Sequence, residues 1–408
     1  MINSSDQVYD YDYDVLIVGG GLVGSSLALA IAPLGLRIAL CEAVLPDDRE
    51  QPDYDRRSLA LSYGSACLLE QWGIWPALAS HATPLLQVHV SEQGCLGQVH
   101  IKASSEGVPA LGYVIEVPHL NRVLNNKLQA DPRIATMMPV TVTQAQRYHE
   151  GYALSITDAG NTRRVTARLL VVADGANSRL RTALGIITQH HDYQRSALVA
   201  NIGLSGDHQG RAYERFAKAG PLALLPLKGR WASLVWTKPP EEAQALLKMS
   251  ENLFLQQLQR EFGYRLGRFL QLGKRQAFPL FKQQAKEQIR EGLVLLGSAA
   301  HQNHPVAGQG FNLSLRDLAA LSEAIRQTQM KGEAVGGLPM LLEYESQVCV
   351  DQRWVMAYTH TLEAIFTKRD PVLSSLRSLG LLSFEFLPLI KHRFALKNMG
   401  FQSFLIAE

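Results

Sequence analysis

Three glycines near the start of the chain have the spacing of a dinucleotide-binding loop. Gly19, Gly21 and Gly24 form the pattern G-x-G-x-x-G directly after the apolar residues 14–18, and a helical pattern follows them. The first glycine of such a loop permits a tight turn, the second lets backbone approach a pyrophosphate, and the third lets helix and strand pack closely. Glu42 ends the next apolar run, where a carboxylate accepts hydrogen bonds from ribose hydroxyls. The spacing predicts a nucleotide cofactor at the amino terminus of a helix.

A second glycine-rich stretch, residues 297–317, has a backbone suited to a flat aromatic cofactor. Pro305 fixes the chain at one point, whereas Gly308 and Gly310 leave space beside it and precede a helical pattern. The first N–H groups of that helix would stabilise negative charge on a bound ligand. The alternative is a tight turn with a proline at its entry and a glycine-rich helix start.

The same stretch carries titratable side chains. His301 and His304 are either hydrogen-bonded scaffold residues or acid–base groups, and a polar loop histidine is more often the former. Asp317 lies beside Arg316 in the predicted helix, and we interpret it as a structural pairing residue rather than a ligand.

Three apolar runs stop at small or turn-forming residues. Residues 14–18 stop at Gly19, residues 169–173 stop at Asp174-Gly175, and residues 293–296 stop at glycine. Runs of this kind are typical of strands buried on both faces of a parallel sheet, whose carboxyl ends meet at a common ligand.

The order of these motifs resembles that of the flavoprotein aromatic hydroxylases of the para-hydroxybenzoate hydroxylase type. The resemblance runs from Asp14 to about Ala364, and its strongest part, HPVAGQGFN at residues 304–312, is similar to the ubiquinone-biosynthesis branch of that family. It implies an FAD cofactor. The positions that carry over as FAD contacts are Gly19, Gly21, Gly24, Glu42, Arg57, Arg122, Asp174, Gly175, Ser298, Pro305, Gly308, Gln309, Gly310, Phe311 and Asn312.

Some of these positions have other interpretations. Arg57 and Arg122 could be surface arginines paired with local acids, and Asp174 could serve as a turn or capping residue. Ser298 stands where the family has an aspartate that binds flavin-side hydroxyls. Because a serine lacks the charge that strengthens such hydrogen bonds, we expect FAD to be held more loosely.

For function, the resemblance implies an FAD-dependent monooxygenase that hydroxylates a polyprenylated phenol through a flavin 4a-hydroperoxide. NADPH or another electron donor would reduce the flavin, and O₂ would be the second co-substrate. Pro305, near the ring edge that reacts with oxygen, and His304 are the predicted catalytic residues. Two alternatives stay open: a related flavin monooxygenase acting on another aromatic or alkene substrate, and a non-catalytic scaffold subunit of a biosynthetic complex.

The elements that position these residues predict an α/β fold. It comprises a Rossmann-like FAD-binding domain with a parallel sheet, an inserted, mainly antiparallel substrate-binding domain and a helical carboxyl terminus. Four aromatic residues are candidates for lining the substrate pocket, although core packing is an equally ordinary role: Tyr213, Phe216, Trp231 and Trp236. The predicted boundaries are residues 10–84, 113–186 and 282–365 for the first domain, 85–112 and 187–281 for the second, and 366–408 for the last segment.

The composition of the chain bears on its core size and argues against several classes of ligand. The chain has 408 residues, of which 47% are hydrophobic and 19% charged, so it can bury a large core. A net charge of +3 without any basic block gives no argument for nucleic acid. The four cysteines form no CxxC pair, which argues against a zinc site and a disulfide framework and favours a reducing cytoplasm. We therefore expect no metal.

The sequence of residues 376–390 is rich in Leu and Phe and contains Gly380 and Pro388. It predicts either core packing or an oligomer interface, or a surface that faces lipid at the inner side of a membrane, with basic residues 391–393 beside it. No apolar run is long enough to span a bilayer, so any membrane contact is expected to be peripheral. The expected partners are the phenol, O₂ and a second copy of the chain or other members of a biosynthetic complex.

Overall fold

The computed structural model describes residues 10–45, 57–95, 97–217, 220–302, 308–367, 383 and 385–401. Its strands are β1 (Tyr13–Val18), β2 (Ile38–Cys41), β3 (Ser58–Ser62), β4 (Thr83–Leu85), β5 (Gln87–Glu92), β6 (Gln98–Lys102), β7 (Gly112–Glu116), β8 (Ile134–Met137), β9 (Thr141–Tyr148), β10 (Gly151–Asp158), β11 (Asn161–Val172), β12 (Thr188–Leu204), β13 (Arg211–Ala217), β14 (Gly220–Pro226), β15 (Trp231–Lys238), β16 (Phe269–Leu272), β17 (Gln276–Ala285), β18 (Ile289–Arg290), β19 (Leu293–Leu295) and β20 (His301–Gln302). The α-helices are α1 (Leu22–Ile31), α2 (Tyr63–Gln71), α3 (Trp75–Leu78), α4 (Val117–Ala130), α5 (Arg179–Ala183), α6 (Pro240–Lys248), α7 (Glu251–Phe262), α8 (Gln309–Met330), α9 (Leu338–Thr367) and α10 (Pro388–Asn398).

The predicted parallel sheet is present. Its strand order is β18-β19-β11-β1-β2-β8, and β1 pairs in parallel with both β11 and β2. Successive side chains of β1 enter two different cores: Val15 and Ile17 pack with α1 and α8 on one face, and Leu16 and Val18 pack on the other. Burial on both faces explains why these strands are apolar runs without alternation. The carboxyl ends of β1, β11 and β19 consequently lie at one edge of the sheet.

A second sheet is mainly antiparallel and has the order β20-β17-β12-β15-β14-β13-β5-β6, with β16 added beside β12. One face packs against α6 and α7 through a core that includes Leu198, Leu222 and Trp236. Because side chains alternate along a strand, Val199 and Ala223 point to the opposite face, where they line a cavity. The α/β fold with both kinds of sheet is therefore confirmed.

The domain boundaries stay a prediction. Strand β17 ends at Ala285 and β20 covers His301–Gln302, so the antiparallel sheet includes residues that the prediction gave to the FAD-binding domain.

Two helices form the described part of the carboxyl-terminal region. Helix α9 follows α8, and α10 packs through Ala395 and Met399 against a core that contains Val99 and Ile101 of β6. The Gly64 N–H donates to the Met399 carbonyl at 2.8 Å, which fixes the end of α10 beside α2. Among the described helices, none is both long enough and apolar enough to cross a lipid bilayer.

Candidate flavin and substrate site

The glycine loop after β1 is tight because three of its glycines, Gly19, Gly20 and Gly24, have no room for a side chain. Gly19 has φ = +107°, and a Cβ there would collide with the Ala173 carbonyl at the tip of β11. A Cβ on Gly24 would collide with the Gly19 carbonyl oxygen. Gly21 differs, since nothing lies within 4 Å of its Cβ position, which faces the cavity. The loop therefore leaves open backbone at the amino terminus of α1, as a pyrophosphate requires.

Glu42 lies at the end of β2 and fixes this loop. One carboxylate oxygen accepts from the Gly20 N–H at 2.6 Å, and the other accepts from the Val44 N–H at 2.9 Å. A carboxylate has about four lone-pair sites, so Glu42 keeps capacity for further donors such as ribose hydroxyls. It lies beside the main cavity rather than in its wall.

The second strand end presents a carboxylate whose hydrogen bonding is incomplete. The Oδ2 atom of Asp174 lies 3.5 Å from the Leu180 N–H, whereas Oδ1 is buried without a partner among the described residues. A buried acceptor without a donor is costly, and a ligand hydroxyl would remove that cost. Gly175 has φ = +89° and nothing within 4 Å of its Cβ position, so the backbone beside Asp174 is open to a ligand.

Arg181 holds the second and third strand ends together. Its guanidinium donates to the carbonyls of Ala176 and Ala299, each at 2.9 Å. The loop after β11 and the turn after β19 are thus fixed relative to each other. Ser298 lies in that turn, exposed, and lines the cavity.

Helix α8 begins at the cavity. Its amino-terminal cap is Gly308, with φ = +61°, and the Cβ position of Gly310 has nothing within 4 Å. Gln309 and Phe311 also line the cavity. His304 and Pro305, the two predicted catalytic residues, lie outside the described residues.

The side chain of Asn312 has a structural role. Its Oδ1 accepts from the Ser62 N–H at 2.8 Å, and its Nδ2 donates to the carbonyls of Ala60 at 2.9 Å and Gly308 at 2.8 Å. These bonds attach the start of α8 to β3. Cofactor contacts predicted for Asn312 would therefore come from its backbone.

Sequence reasoning missed a buried pair behind this loop. His301 Nε2 lies 2.7 Å from Asp317 Oδ2, and both side chains are almost completely buried. Gln352 of α9 donates to the same aspartate oxygen at 3.2 Å and accepts from Gln288 at 2.9 Å. Asp317 is a pairing residue, as predicted, but it pairs with His301. Arg316 instead binds Asp351 at 2.6 Å.

The two predicted arginine contacts lie in different places. Arg57 lines the cavity, and its guanidinium carbon lies 5.4 Å from the centre of the Phe278 ring. Arg122 is half-buried on α4 and does not line the cavity. Arg57 therefore lines the same cavity as the strand ends and the start of α8, whereas Arg122 does not.

The cavity has a volume of about 1010 Å³, at the upper end of the range for ligand pockets. The strand ends and α8 form one side, and the antiparallel sheet forms the other. Tyr213 and Phe216 line it, whereas Trp236 is fully buried in the core and Trp231 is not in the wall. The carboxyl-terminal region also contributes residues, which sequence reasoning did not foresee: Tyr358, Phe394, Ala395, Asn398 and Met399.

These features fit FAD. Open glycine backbone at the start of α1 suits a pyrophosphate, the Asp174 oxygen without a donor suits a hydroxyl, and the space at Gly310 suits a flat ring. The sheet face beyond them is mainly apolar, with a few polar side chains such as Asn201, Ser233 and Thr237.

Comparison with known proteins agrees with this geometry. The family model described as FAD binding domain matches residues 12–349. The chain is 34% identical to a ubiquinone hydroxylase, UbiL, of Rhodospirillum rubrum, over 95% of this chain and 89% of that one. It is 32% identical to the 3-demethoxyubiquinol 3-hydroxylase of Escherichia coli, over 91% of this chain and 94% of that one. The fold matches p-nitrophenol 4-monooxygenase PnpA from Pseudomonas putida with a TM-score of 0.77 at 16% identity, covering 95% of this chain and 98% of that one.

Proposed function

Because the chain belongs to the FAD binding domain family, we propose that it is an FAD-dependent monooxygenase that hydroxylates a polyprenylated phenol in ubiquinone biosynthesis. The observation that carries this proposal is one continuous cavity, which the three strand ends and α8 share with an apolar sheet face. A cofactor that activates O₂ and an apolar aromatic substrate would then meet in the same space. The relatives named as ubiquinone hydroxylases support the substrate class.

FAD would supply the redox chemistry that activates O₂. The chain's own residues bind and orient it: the open backbone after β1 receives the pyrophosphate, Asp174 accepts from a hydroxyl, and the first N–H groups of α8 stabilise negative charge. The apolar side chains of the sheet keep water away from the reacting atoms. The chain thus positions the reactants and excludes solvent.

The electron donor and the exact phenol are the finer parts of the proposal. We propose NADPH as the donor, binding without a domain of its own, since the sequence has no second glycine fingerprint. The stretches DRRSLAL at residues 55–61 and VSEQG at residues 90–94 resemble those of 2-polyprenyl-6-methoxyphenol hydroxylase. That similarity supports a methoxyphenol with a prenyl tail as substrate.

We also propose that the enzyme contacts the membrane at the start of α10. Phe386 and Leu389 are each 78% exposed there, and Ile390 is 52% exposed. Lys391 and Arg393 follow directly and would suit an anionic headgroup layer. Such a surface would give the cavity access to a substrate dissolved in lipid.

The function is tested with purified protein and with cells that lack the gene. We expect a yellow protein whose visible flavin absorbance bleaches with NADPH, and cells that accumulate an unhydroxylated prenylphenol. Colourless protein that cannot be reconstituted with FAD would overturn the proposal and favour the scaffold alternative.

A further inference from the structure

One acidic side chain lies in the apolar wall of the cavity. Glu214 is on β13, on the same strand face as Ala212 and Phe216, and points to the cavity. Its cross-strand neighbours are Val90 of β5 and Ala223 of β14, which also line the cavity. Uncharged polar side chains also line this sheet face, among them Asn201, Ser233 and Thr237, but Glu214 is the one carboxylate among the described residues that line the cavity.

No described side chain compensates the negative charge of Glu214. None of the described residues gives its carboxylate a hydrogen bond or an ion pair, and burial raises the pKa of Glu214 to about 7. Tyr358 of α9 lies within reach of its charge: burial raises the pKa of Tyr358, and the negative charge of Glu214 adds to that effect. Tyr358 is itself held in place by stacking on Trp354, at 5.0 Å between ring centres.

A polar group in such a wall is costly unless something binds to it. Above its pKa of about 7 the Glu214 carboxylate is ionised, and it then accepts hydrogen bonds and donates none. A prenylated methoxyphenol has one donor, its phenolic hydroxyl, while its tail and methoxy group donate nothing. Glu214 lacks a hydrogen-bond donor, and a substrate of this class carries one donor, the hydroxyl on its ring.

We propose that Glu214 accepts the hydrogen bond of the substrate's phenolic hydroxyl and thereby fixes the ring's orientation in the cavity. The inference rests on the proposed function, because it takes a phenol as the substrate. It adds a charged acceptor to a sheet face whose other polar side chains in the cavity wall are uncharged. A charge-assisted hydrogen bond of this kind makes a contribution of roughly tenfold or more to binding.

The test compares two ligands on the oxidised FAD-loaded protein by calorimetry, without turnover. The probes are 2-geranyl-6-methoxyphenol and its O-methyl ether, in which a methyl group replaces the hydroxyl hydrogen and the only donor is lost. We expect Glu214→Ala to weaken binding of the phenol about tenfold and to leave binding of the ether nearly unchanged. Glu214→Gln, which keeps an acceptor of the same shape, should have an intermediate affinity for the phenol.

The matched control is Glu241→Ala, which removes an exposed acid from α6 outside the cavity wall. It should bind both probes as the wild type does. Equal loss of both ligands in Glu214→Ala, or no loss of the phenol, would overturn the role of Glu214 and leave the proposed function standing. A flavin-loaded wild type that binds neither probe would overturn the proposed function and this inference with it.

Discussion

Gly310 lies where a side chain would enter the space that we assign to the flavin ring. Its Cβ position has no protein atom within 4 Å, and its φ is not in the left-handed region, so the fold itself tolerates a larger residue. We expect Gly310→Val to abolish FAD binding, measured by titration of the flavin-free protein, with little change in thermal unfolding. Gly337→Val, at a glycine outside the cavity, is the control and should bind FAD normally. Wild-type FAD affinity in Gly310→Val would contradict the assignment of the ring to this space.

Ser298 offers a gain-of-binding test. It is exposed in the turn after β19 and lines the cavity. The flavoprotein aromatic hydroxylases that the sequence resembles have an aspartate at this position. A carboxylate there would form a charge-assisted hydrogen bond with a flavin hydroxyl, so Ser298→Asp should tighten FAD binding roughly threefold to tenfold. Ser298→Ala should weaken it slightly. Weaker binding by Ser298→Asp than by Ser298→Ala would rule out a hydroxyl at this position.

The raised pKa of Glu214 predicts that the stability of the flavin-free protein depends on pH. Its pKa rises from an ordinary 4.5 to about 7 on folding, so ionisation favours the unfolded chain and stability falls as pH rises through that interval. Glu214→Gln removes this loss. Since cavity water reduces the effect, we expect a gain on the order of 1 kcal/mol near pH 8 and none near pH 4.

Urea unfolding at both pH values checks this expectation, with Glu241→Gln as the exposed control. The wild type and Glu214→Gln share the other titratable side chains that line the cavity, so the difference in their stability reports on Glu214 alone. Those shared side chains are Arg57, Tyr213, Lys274, His301 and Tyr358. The same gain at both pH values would mean that Glu214 is not desolvated.

Helix α8 depends on a buried attachment to β20. The His301–Asp317 pair joins the two elements at 2.7 Å, and Gln352 links them to α9. Removing one partner of a buried pair leaves the other without compensation, so Asp317→Ala should lower the free energy of unfolding by about 3 kcal/mol. Glu323→Ala, on the exposed side of α8, should cost less than about 1 kcal/mol. Equal costs by urea unfolding would contradict a stabilising role for the pair.

The elements predicted best from sequence are those with local signals. The glycine fingerprint, Glu42 and the three strand ends lie in short stretches whose residue types determine the turn. The same reasoning could not pair His301 with Asp317, since the contact depends on how α8 packs over β20. Glu214 was missed because its direction depends on the register of β13 between β5 and β14.

The carboxyl-terminal region is a second case in which the sequence could not predict the packing. The apolar residues within 376–390 predicted either a packed surface or a lipid-facing one, and residues 376–382 and 384 of that stretch lie outside the described residues. Ala395 and Met399 are buried against β6, whereas Phe386 and Leu389 are exposed. Composition alone could not show that packing against β6 involves residues beyond 390 and leaves Phe386 and Leu389 exposed.

At the scale of the whole molecule, the exposed start of α10 should govern attachment to lipid. Burying a large apolar side chain in a bilayer interface contributes about 1.5–3 kcal/mol. We therefore expect the double substitution Phe386→Gln and Leu389→Gln to weaken binding to vesicles of phosphatidylethanolamine and phosphatidylglycerol at least tenfold in a flotation assay. Leu253→Gln, a 56% exposed leucine on α7, is the control. Equal vesicle binding by both proteins would exclude membrane contact through α10.

The parts of the cavity wall are synthesised at different times. Its lining includes Gly21 near one end of the chain and Met399 near the other. A growing polypeptide still attached to the ribosome would possess the glycine loop and the first sheet long before α10 emerged. The nucleotide half of a flavin could dock early, whereas the cavity wall is complete only after residue 399 has been synthesised and α10 has packed against β6.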